Sequence, residues 1–151
     1  MSEHLDQLVE SPAPFGVLYC ELRNFKTVND THGHRAGDHV LIAFAQRLQQ
    51  ITRTDDVVAR RGGDEFLITV TDPTLSSLER LARRAAVAVA QPISLHPSTA
   101  TMTTSITVGS AVFDPDGDDT IDAVLHRADT DMYQQRNTAG DRPAETLVLR
   151  P

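Results

Sequence analysis

The chain has 151 residues, is 40% apolar and carries a formal net charge of −7. These values suit one globular domain with its own core and leave no room for a second domain. The acidic balance, without any long basic run, argues against binding to duplex nucleic acid, which depends on neutralising many phosphates.

Cys20 is the only cysteine, so no disulfide can form within the chain and a reducing compartment is expected. The longest apolar stretch is far below the ~20 residues that span a bilayer, and the first residues lack the basic-then-apolar pattern of a signal peptide. We therefore expect a cytoplasmic location, with no nucleic-acid partner and no membrane contact by this domain.

The first predicted element is a strand at Phe15–Leu22, whose continuous apolar run indicates burial at the centre of a sheet. A turn-rich region is predicted next. From Asp38 to Thr52, apolar residues recur at spacings of three and four, which predicts an amphipathic helix packed on a sheet. The members of this apolar stripe are Val40, Leu41, Phe44, Leu48 and Ile51.

Two short β-rich runs follow, at Asp56–Arg60 and Glu65–Thr71. Between them, Gly62–Gly63 predicts a hairpin, because glycine reaches positive φ without a steric penalty. A second helix is predicted from Leu75 to Val89 on the spacing of its apolar residues.

The last predicted elements are a strand at Thr101–Phe113, bent at Gly109, a third helix capped by Thr120, and a weak strand at Thr146–Leu149. The apolar positions of the third helix are Ile121, Leu125, Ala128 and Met132. Strands that alternate with helices predict an α/β or α+β sheet covered on at least one face.

The hairpin is the centre of "RRGGDEF", Arg60–Phe66, in which two acids directly follow two glycines. At a glycine turn the alternation of a regular strand relaxes, so Asp64 and Glu65 can both approach one site. Two converging carboxylates form an oxygen site suited to Mg²⁺, which commonly bridges protein acids and nucleotide phosphates. On these residues alone, a solvated acidic hairpin remains the alternative.

The region from Glu21 to Phe66 follows one spacing pattern, F-K-x-x-N-D-x-x-G-H-x-x-G-D, then R-x-x-D and the hairpin. Its members are Phe25, Lys26, Asn29, Asp30, Gly33, His34, Gly37, Asp38, Arg53, Asp56 and the residues from Gly62 to Phe66. This pattern resembles the GGDEF domain family of diguanylate cyclases. The helix "RADTDMY", Arg127–Tyr133, is similar to the family's C-terminal A-D-x-A-L-Y element.

The resemblance implies an α/β (α+β) fold in which helices surround a central mixed, largely antiparallel β-sheet. This arrangement is similar to nucleotidyl-cyclase domains, and a β-hairpin forms the active-site turn. It also implies that residues 15–151 form the GGDEF domain and that residues 1–14 are a linker or the tail of a leading helix.

The resemblance further implies roles for individual residues. Asp64 and Glu65 would be the catalytic carboxylates, with Glu65 as a metal ligand or as the base at a ribose 3′-hydroxyl. Together with Glu21 and the backbone carbonyl of Leu22, they would hold Mg²⁺ or Mn²⁺.

The substrate implied is GTP. Asn29 and Asp38 would recognise guanine, because an amide and a carboxylate complement its donor edge and ring nitrogens. Lys26 and Arg136 would steady the triphosphate. The other residues expected at the GTP site are Phe25, Gly62 and Gly63.

The reaction implied is the condensation of two GTP molecules into cyclic di-GMP, with release of pyrophosphate, across a homodimer. Arg53 and Asp56 match the family's R-x-x-D inhibitory site, where the product would bind, and arginine can fork onto guanine O6 and N7. Alone, an R-x-x-D sequence is usually a surface ion pair. A sensory domain is expected upstream in the full-length protein.

Three features depart from the family pattern. Glu21 replaces the family's first metal-binding aspartate, Arg23 replaces its second aspartate beside the metal site, and the tail "RNTAGDR" carries Gly140 one residue late. They favour an alternative interpretation, a catalytically degenerate GGDEF domain that binds GTP or cyclic di-GMP as a regulatory module.

Overall fold

The computed structural model of the protein describes residues 13–95 and 101–138. In chain order its elements are β1 (Phe15–Leu22), α1 (Phe25–His32), α2 (His34–Ile51), β2 (Val57–Gly62), β3 (Glu65–Thr71), α3 (Leu75–Val89), β4 (Ile93–Ser94), β5 (Thr101–Met102), β6 (Ile106–Phe113) and α4 (Ile121–Thr138). No helix within these ranges is long and apolar enough to cross a bilayer. The predicted strand Thr146–Leu149 and Gly140 lie outside them, as do residues 1–12, so the domain boundary before residue 15 stays a prediction.

A four-stranded sheet forms the centre of the fold, with the strands in the order β2–β3–β1–β6. Each of its pairings is antiparallel, and β4 and β5 form a separate antiparallel pair. Strands β1 and β3 have the predicted bounds. These observations confirm the predicted α+β fold with its largely antiparallel sheet.

Helices cover both faces of this sheet. On one face, Leu18 and Cys20 of β1 pack with residues of α1, α2 and α3. On the other face, Val17 and Tyr19 pack against α4. Because side chains alternate along a strand, Glu21 lies on the same face as Tyr19, beneath α4.

Helix α4 lies so close to β6 that no side chain fits between them at Gly109. A Cβ atom there would overlap the carbonyl oxygen of Ala128 and the amide nitrogen of Met132. The pairing of β6 with β1 continues unbroken through this glycine. The glycine therefore allows the close approach of α4, while the bend predicted at Gly109 stays a prediction.

The prediction of one continuous strand at Thr101–Phe113 is wrong. Thr101–Met102 pairs with β4 in the separate two-stranded sheet, and β6 of the central sheet begins at Ile106. Between β5 and β6 the chain belongs to neither sheet. There it bonds to the residue that follows β1. The backbone N–H of Arg23 donates to the carbonyl oxygen of Ser105 at 2.9 Å, and the hydroxyl of Thr104 donates to the carbonyl oxygen of Arg23 at 3.2 Å. These bonds fix the chain beyond β1 against the end of β6.

The region predicted as turn-rich after β1 contains helix α1. Asn24 precedes it in the left-handed conformation, at φ 58°, and Gly33 separates it from α2 at φ 82°. Helix α2 begins at His34, before the predicted start at Asp38. Gly37 lies buried inside α2, where a Cβ atom would overlap the side-chain oxygen of Asn29. The glycine therefore lets α1 and α2 pack closely.

Candidate active site

The hairpin between β2 and β3 is irregular, as the two glycines predict. Its register shifts between Arg60 and Gly62, and Gly63 has a φ of 50°, in the left-handed region. The Nε atom of Arg60 donates to the carbonyl oxygen of Gly63 at 2.9 Å, which braces the turn. Among the residues that the structure describes, and apart from the chain neighbours, a Cβ atom at either glycine would meet no atom within 4 Å. A bulky ligand can therefore approach the backbone here.

Polar side chains line up across three strands at this end of the sheet. Glu21 of β1 stands opposite Glu65 of β3 on one side and opposite Thr107 of β6 on the other. Side chains paired in this way share a face, with Cβ atoms about 5 Å apart. The hydroxyl of Thr107 is buried without a hydrogen-bond partner among the described residues. The backbone N–H of Leu22 donates to the carbonyl oxygen of Asp64 at 3.1 Å, so the hairpin is tied to the end of β1.

Arg136 of α4 contacts Glu21 from the helix that covers this face of the sheet. Its Nη1 atom lies 3.3 Å from each carboxylate oxygen. Burial raises the pKa of Glu21, Arg136 opposes that shift, and the charges of Asp64 and Glu65 add to it. The carboxylate of Glu21 therefore remains in an environment that disfavours its charge, although an arginine is in contact with it.

Glu65 is held from within the core by Tyr19, a residue that no sequence motif identifies. The hydroxyl of Tyr19 donates to Oε2 of Glu65 at 2.9 Å, and Nη1 of Arg61 donates to the Tyr19 oxygen at 3.2 Å. Burial, with the hydrogen bond to Glu65, raises the pKa of Tyr19 to about 12, so the phenol is a donor at neutral pH. The only signal in the sequence is a phenol two residues before Glu21 in an apolar strand.

A divalent cation is the cofactor that the resemblance implies. In residues 13–95 and 101–138, no three acidic, histidine or cysteine side chains already form a complete metal site. Mg²⁺, however, is commonly held by one or two carboxylates together with substrate phosphates. Glu21 and the hairpin carboxylates Asp64 and Glu65 suit such a cation, because the charges of Asp64 and Glu65 disfavour a charged Glu21 and a cation would offset that effect.

The residues predicted to bind guanine lie at the junction of α1 and α2. The side chain of Asn29 covers Gly37 in the first turn of α2, and the ring of Phe25 lies beside it. Asp38 follows directly and is exposed, as is Lys26 on α1. The structure therefore brings Asn29 and Phe25 together next to Asp38. Helix α1 starts shortly after β1, so this group adjoins the end of the strand that carries Glu21.

The predicted inhibitory site is a tight turn before β2. The backbone N–H of Arg53 donates to Oδ2 of Asp56 at 2.8 Å, and the backbone N–H of Asp56 donates to the carbonyl oxygen of Arg53 at 3.2 Å. The other oxygen, Oδ1, is buried without a hydrogen-bond partner in the described structure. The side chain of Arg53 is exposed. The turn therefore brings the two residues together through the backbone.

Comparison with known sequences identifies relatives along most of the chain. The family model described as "Diguanylate cyclase, GGDEF domain" matches residues 1–142. Diguanylate cyclase TpbB from Pseudomonas aeruginosa (strain UCBPP-PA14) is 39% identical over 144 residues, which cover 93% of this chain and 31% of that protein. Cyclic di-GMP phosphodiesterase PdeR from Escherichia coli (strain K12) is 37% identical over 118 residues, which cover 78% of this chain and 17% of that protein. The chain thus spans less than a third of the length of either relative.

A solved structure agrees with the fold described above. The crystal structure of the GGDEF domain of PA1120 (YfiN or TpbB) from Pseudomonas aeruginosa superposes with a TM-score of 0.79 at 35% sequence identity. The match covers 91% of this chain and 84% of that one. The sequence match, the shared fold and the glycine hairpin with its two acids agree, and the chain therefore belongs to the GGDEF domain family of diguanylate cyclases.

Proposed function

We propose that this domain is a diguanylate cyclase, which condenses two GTP molecules into cyclic di-GMP and releases pyrophosphate. The proposal rests on the meeting of Glu21 and Glu65 across β1 and β3, beside the open glycine turn that carries Asp64. Acidic groups next to accessible backbone suit a triphosphate with a bound divalent cation. The name of TpbB, at 39% identity, supports the same activity here.

In this mechanism Glu21, Asp64 and Glu65 would hold Mg²⁺ or Mn²⁺ together with the backbone carbonyl oxygen of Leu22. The bound cation would offset the charge that develops on the phosphates during in-line displacement. Glu65 accepts the proton of a ribose 3′-hydroxyl as that oxygen bonds to the α-phosphorus of the other GTP, and pyrophosphate leaves. Two such displacements close the cyclic product and release two pyrophosphates.

Substrate recognition is proposed for the α1–α2 junction and for α4. Asn29 and Asp38 select guanine, since an amide and a carboxylate match its donors and ring nitrogens. Lys26 and Arg136 balance the triphosphate. Arg136 can leave Glu21 at little cost, because an ion pair whose arginine is 55% exposed contributes little stability.

Turnover is proposed to need two chains. One chain offers one guanine pair and one hairpin, so joining two GTP molecules requires two facing copies of the site. A homodimer therefore forms the complete enzyme, and an upstream sensory domain in the full-length protein would control the pairing. We place the reaction in the cytoplasm, where GTP is available.

A second candidate function is favoured by the departures beside the metal-binding residues. Arg23 has a positive charge that acts on Glu21, and glutamate is one methylene longer than the family's aspartate. A positive charge beside the site repels a cation, and Mg²⁺ demands near-ideal geometry that a longer side chain disturbs. Both changes therefore weigh against a productive site. PdeR, at 37% identity, is named a phosphodiesterase. The second candidate is a GGDEF domain that binds GTP or cyclic di-GMP without turnover.

Incubation with GTP separates the two candidates. With Mg²⁺ or Mn²⁺, we expect cyclic di-GMP and pyrophosphate by chromatography, and Mn²⁺ should support more activity because it is less exacting about geometry. Specific activity should rise with protein concentration, because two chains must meet. Tight GTP binding by calorimetry without product, at any concentration and with either metal, would favour the regulatory module instead.

Product inhibition at Arg53 and Asp56 is tested by two matched variants. Arg53→Ala should weaken cyclic di-GMP binding about 5- to 150-fold while GTP turnover survives, because a bidentate guanine contact contributes ~1 to 3 kcal/mol. Asp56→Asn keeps an oxygen that can accept from the Arg53 N–H, so it separates product recognition from turn formation. Thr54→Ala, an exposed change within the same turn, is the control. Unchanged product affinity in Arg53→Ala would contradict the inhibitory role.

A further inference from the structure

One buried hydroxyl, that of Tyr19, contacts a carboxylate at the active-site end of the sheet. Glu21 and Glu65, which pair there across β1 and β3, are called the acidic row. Tyr19 is only 4% exposed and belongs to the apolar cluster beneath α4. It stands opposite Leu67, two residues along from the Glu21–Glu65 pair. Diagonal neighbours across antiparallel strands lie within reach of an aromatic side chain. The phenol accordingly donates to Oε2 of Glu65 at 2.9 Å.

The phenol of Tyr19 is held from its other side by Arg61. Nη1 of Arg61 donates to the phenol oxygen at 3.2 Å, and the guanidinium carbon lies 5.3 Å from the centre of the ring. A guanidinium has no acceptor, so the phenol accepts from Arg61 and its single proton is directed to Glu65. The two bonds run in one direction, and bonds arranged in such a chain strengthen one another.

The chain of hydrogen bonds from Arg61 through Tyr19 to Glu65 determines the orientation of the Glu65 carboxylate. The terminal torsion of glutamate has a broad energy profile, so a free carboxylate rotates readily. The bond from Tyr19 fixes Oε2 and thereby limits that rotation. Hydrogen-bond partners that orient a metal ligand commonly change metal affinity or activity 10- to 100-fold when they are removed.

We propose that Tyr19 is a positioning residue for Glu65, and that Arg61 and Tyr19 together set the orientation in which this carboxylate meets a divalent cation. The inference rests on the role of Glu65 as a metal ligand in the proposed function. Neither Tyr19 nor Arg61 belongs to the spacing pattern by which the family was identified.

Tyr19→Phe tests the inference, since it removes the hydroxyl and keeps the ring. Its affinity for Mn²⁺, measured by electron paramagnetic resonance with a non-hydrolysable GTP analogue, should fall about 10-fold. In turnover, kcat should fall while KM for GTP stays close to the wild-type value. Tyr133→Phe is the matched control because Tyr133 is 63% exposed on α4. The control should bind Mn²⁺ as the wild type does.

A double-mutant cycle with Glu65→Gln distinguishes positioning from packing. In the Glu65→Gln background, Tyr19→Phe should cause no further loss of Mn²⁺ affinity, because it acts through that carboxylate. Unchanged Mn²⁺ affinity in Tyr19→Phe alone, or an equal loss in both backgrounds, would overturn the positioning role and leave the proposed function intact. Wild-type Mn²⁺ affinity in Glu65→Gln would instead overturn the metal role of Glu65, and the positioning role with it.

Discussion

Two arginines join α4 to the sheet, and each contacts a carboxylate. Arg127, in the second turn, donates to Asp119 at 2.6 and 2.7 Å and to the carbonyl oxygen of Val112 at 2.8 Å. Arg136, near the other end, lies 3.3 Å from both oxygens of Glu21 through a single nitrogen. The first contact is short and uses both terminal nitrogens of the guanidinium, whereas the second is longer and uses one.

The pKa values of the two acids move in opposite directions. The hydrogen bonds from Arg127 and from the backbone N–H of Asp114 lower the pKa of Asp119. Burial raises the pKa of Glu21, and Arg136 does not cancel that shift. One arginine therefore satisfies its partner and the other does not. The pair of Arg127 and Asp119 is therefore a structural clamp between α4 and the loop that precedes it. The carboxylate of Glu21, in contrast, would still be stabilised by a cation.

The largest expected effect comes from removing the charge of Glu65 in the acidic row. Glu65→Gln keeps the size of the side chain, and we expect cyclic di-GMP formation to fall ~10²-fold or more, as the loss of one preorganised group in a site commonly causes. The product would be measured by chromatography at saturating GTP. Glu79→Gln on α3, which removes an exposed carboxylate beside Arg83, should keep wild-type activity. Full activity in Glu65→Gln would contradict the assignment of this row as the site.

The close approach of α4 at Gly109 determines whether either arginine can reach its partner. In Gly109→Ala the new methyl group would overlap backbone atoms of α4, which cannot rotate aside. We expect the free energy of unfolding, measured in urea, to fall by about 2 to 3 kcal/mol. Gly117→Ala is the control, because its Cβ would come no closer than 3.5 Å to Asp114. Equal stability of the two variants would show that the helix can shift without penalty.

Much of the framework could be predicted because its signals are local. The apolar runs of β1 and β3 end at turn residues, and Gly62–Gly63 has no role in a strand interior. Thr120 was predicted to cap α4, and its hydroxyl accepts from the backbone N–H of Ala123 at 3.2 Å. In each case the residues that determine the structure are close neighbours in the sequence.

The missed features depend on distant residues. Helix α1 contains Thr27 and Asn29, which have low helix propensity, and it is stabilised by the burial of Val28 against the core. The contact between Tyr19 and Glu65 joins residues 46 positions apart and depends on the register of β1 with β3. A tyrosine inside an apolar run does not reveal that register.

A smaller effect is expected at the structural clamp. Asp119→Asn keeps an acceptor but loses the charge, so the free energy of unfolding at pH 7 should fall by about 1 kcal/mol. The folded-state pKa of Asp119 is lowered, so its contribution is present above the unfolded value of 3.8 and is lost as the pH falls through the folded value. Urea unfolding from pH 7 to pH 2 should therefore show the difference between variant and wild type shrinking in acid. A pH-independent difference would contradict this electrostatic explanation.

The smallest change in stability is expected from Arg136→Gln, and Arg127→Gln is its matched variant near the other end of α4. The pair between Arg136 and Glu21 is exposed on the arginine side, so its loss should alter the free energy of unfolding by no more than about 0.5 kcal/mol. KM for GTP should nevertheless rise, since Arg136 is proposed to balance the triphosphate. Arg127→Gln should show the reverse pattern, a lower Tm with an unchanged KM. Its three bonds go to Asp119 and to the backbone of Val112, which have no proposed role in binding GTP. If both variants lowered Tm equally and neither changed KM, the two ends of the helix would have the same structural role.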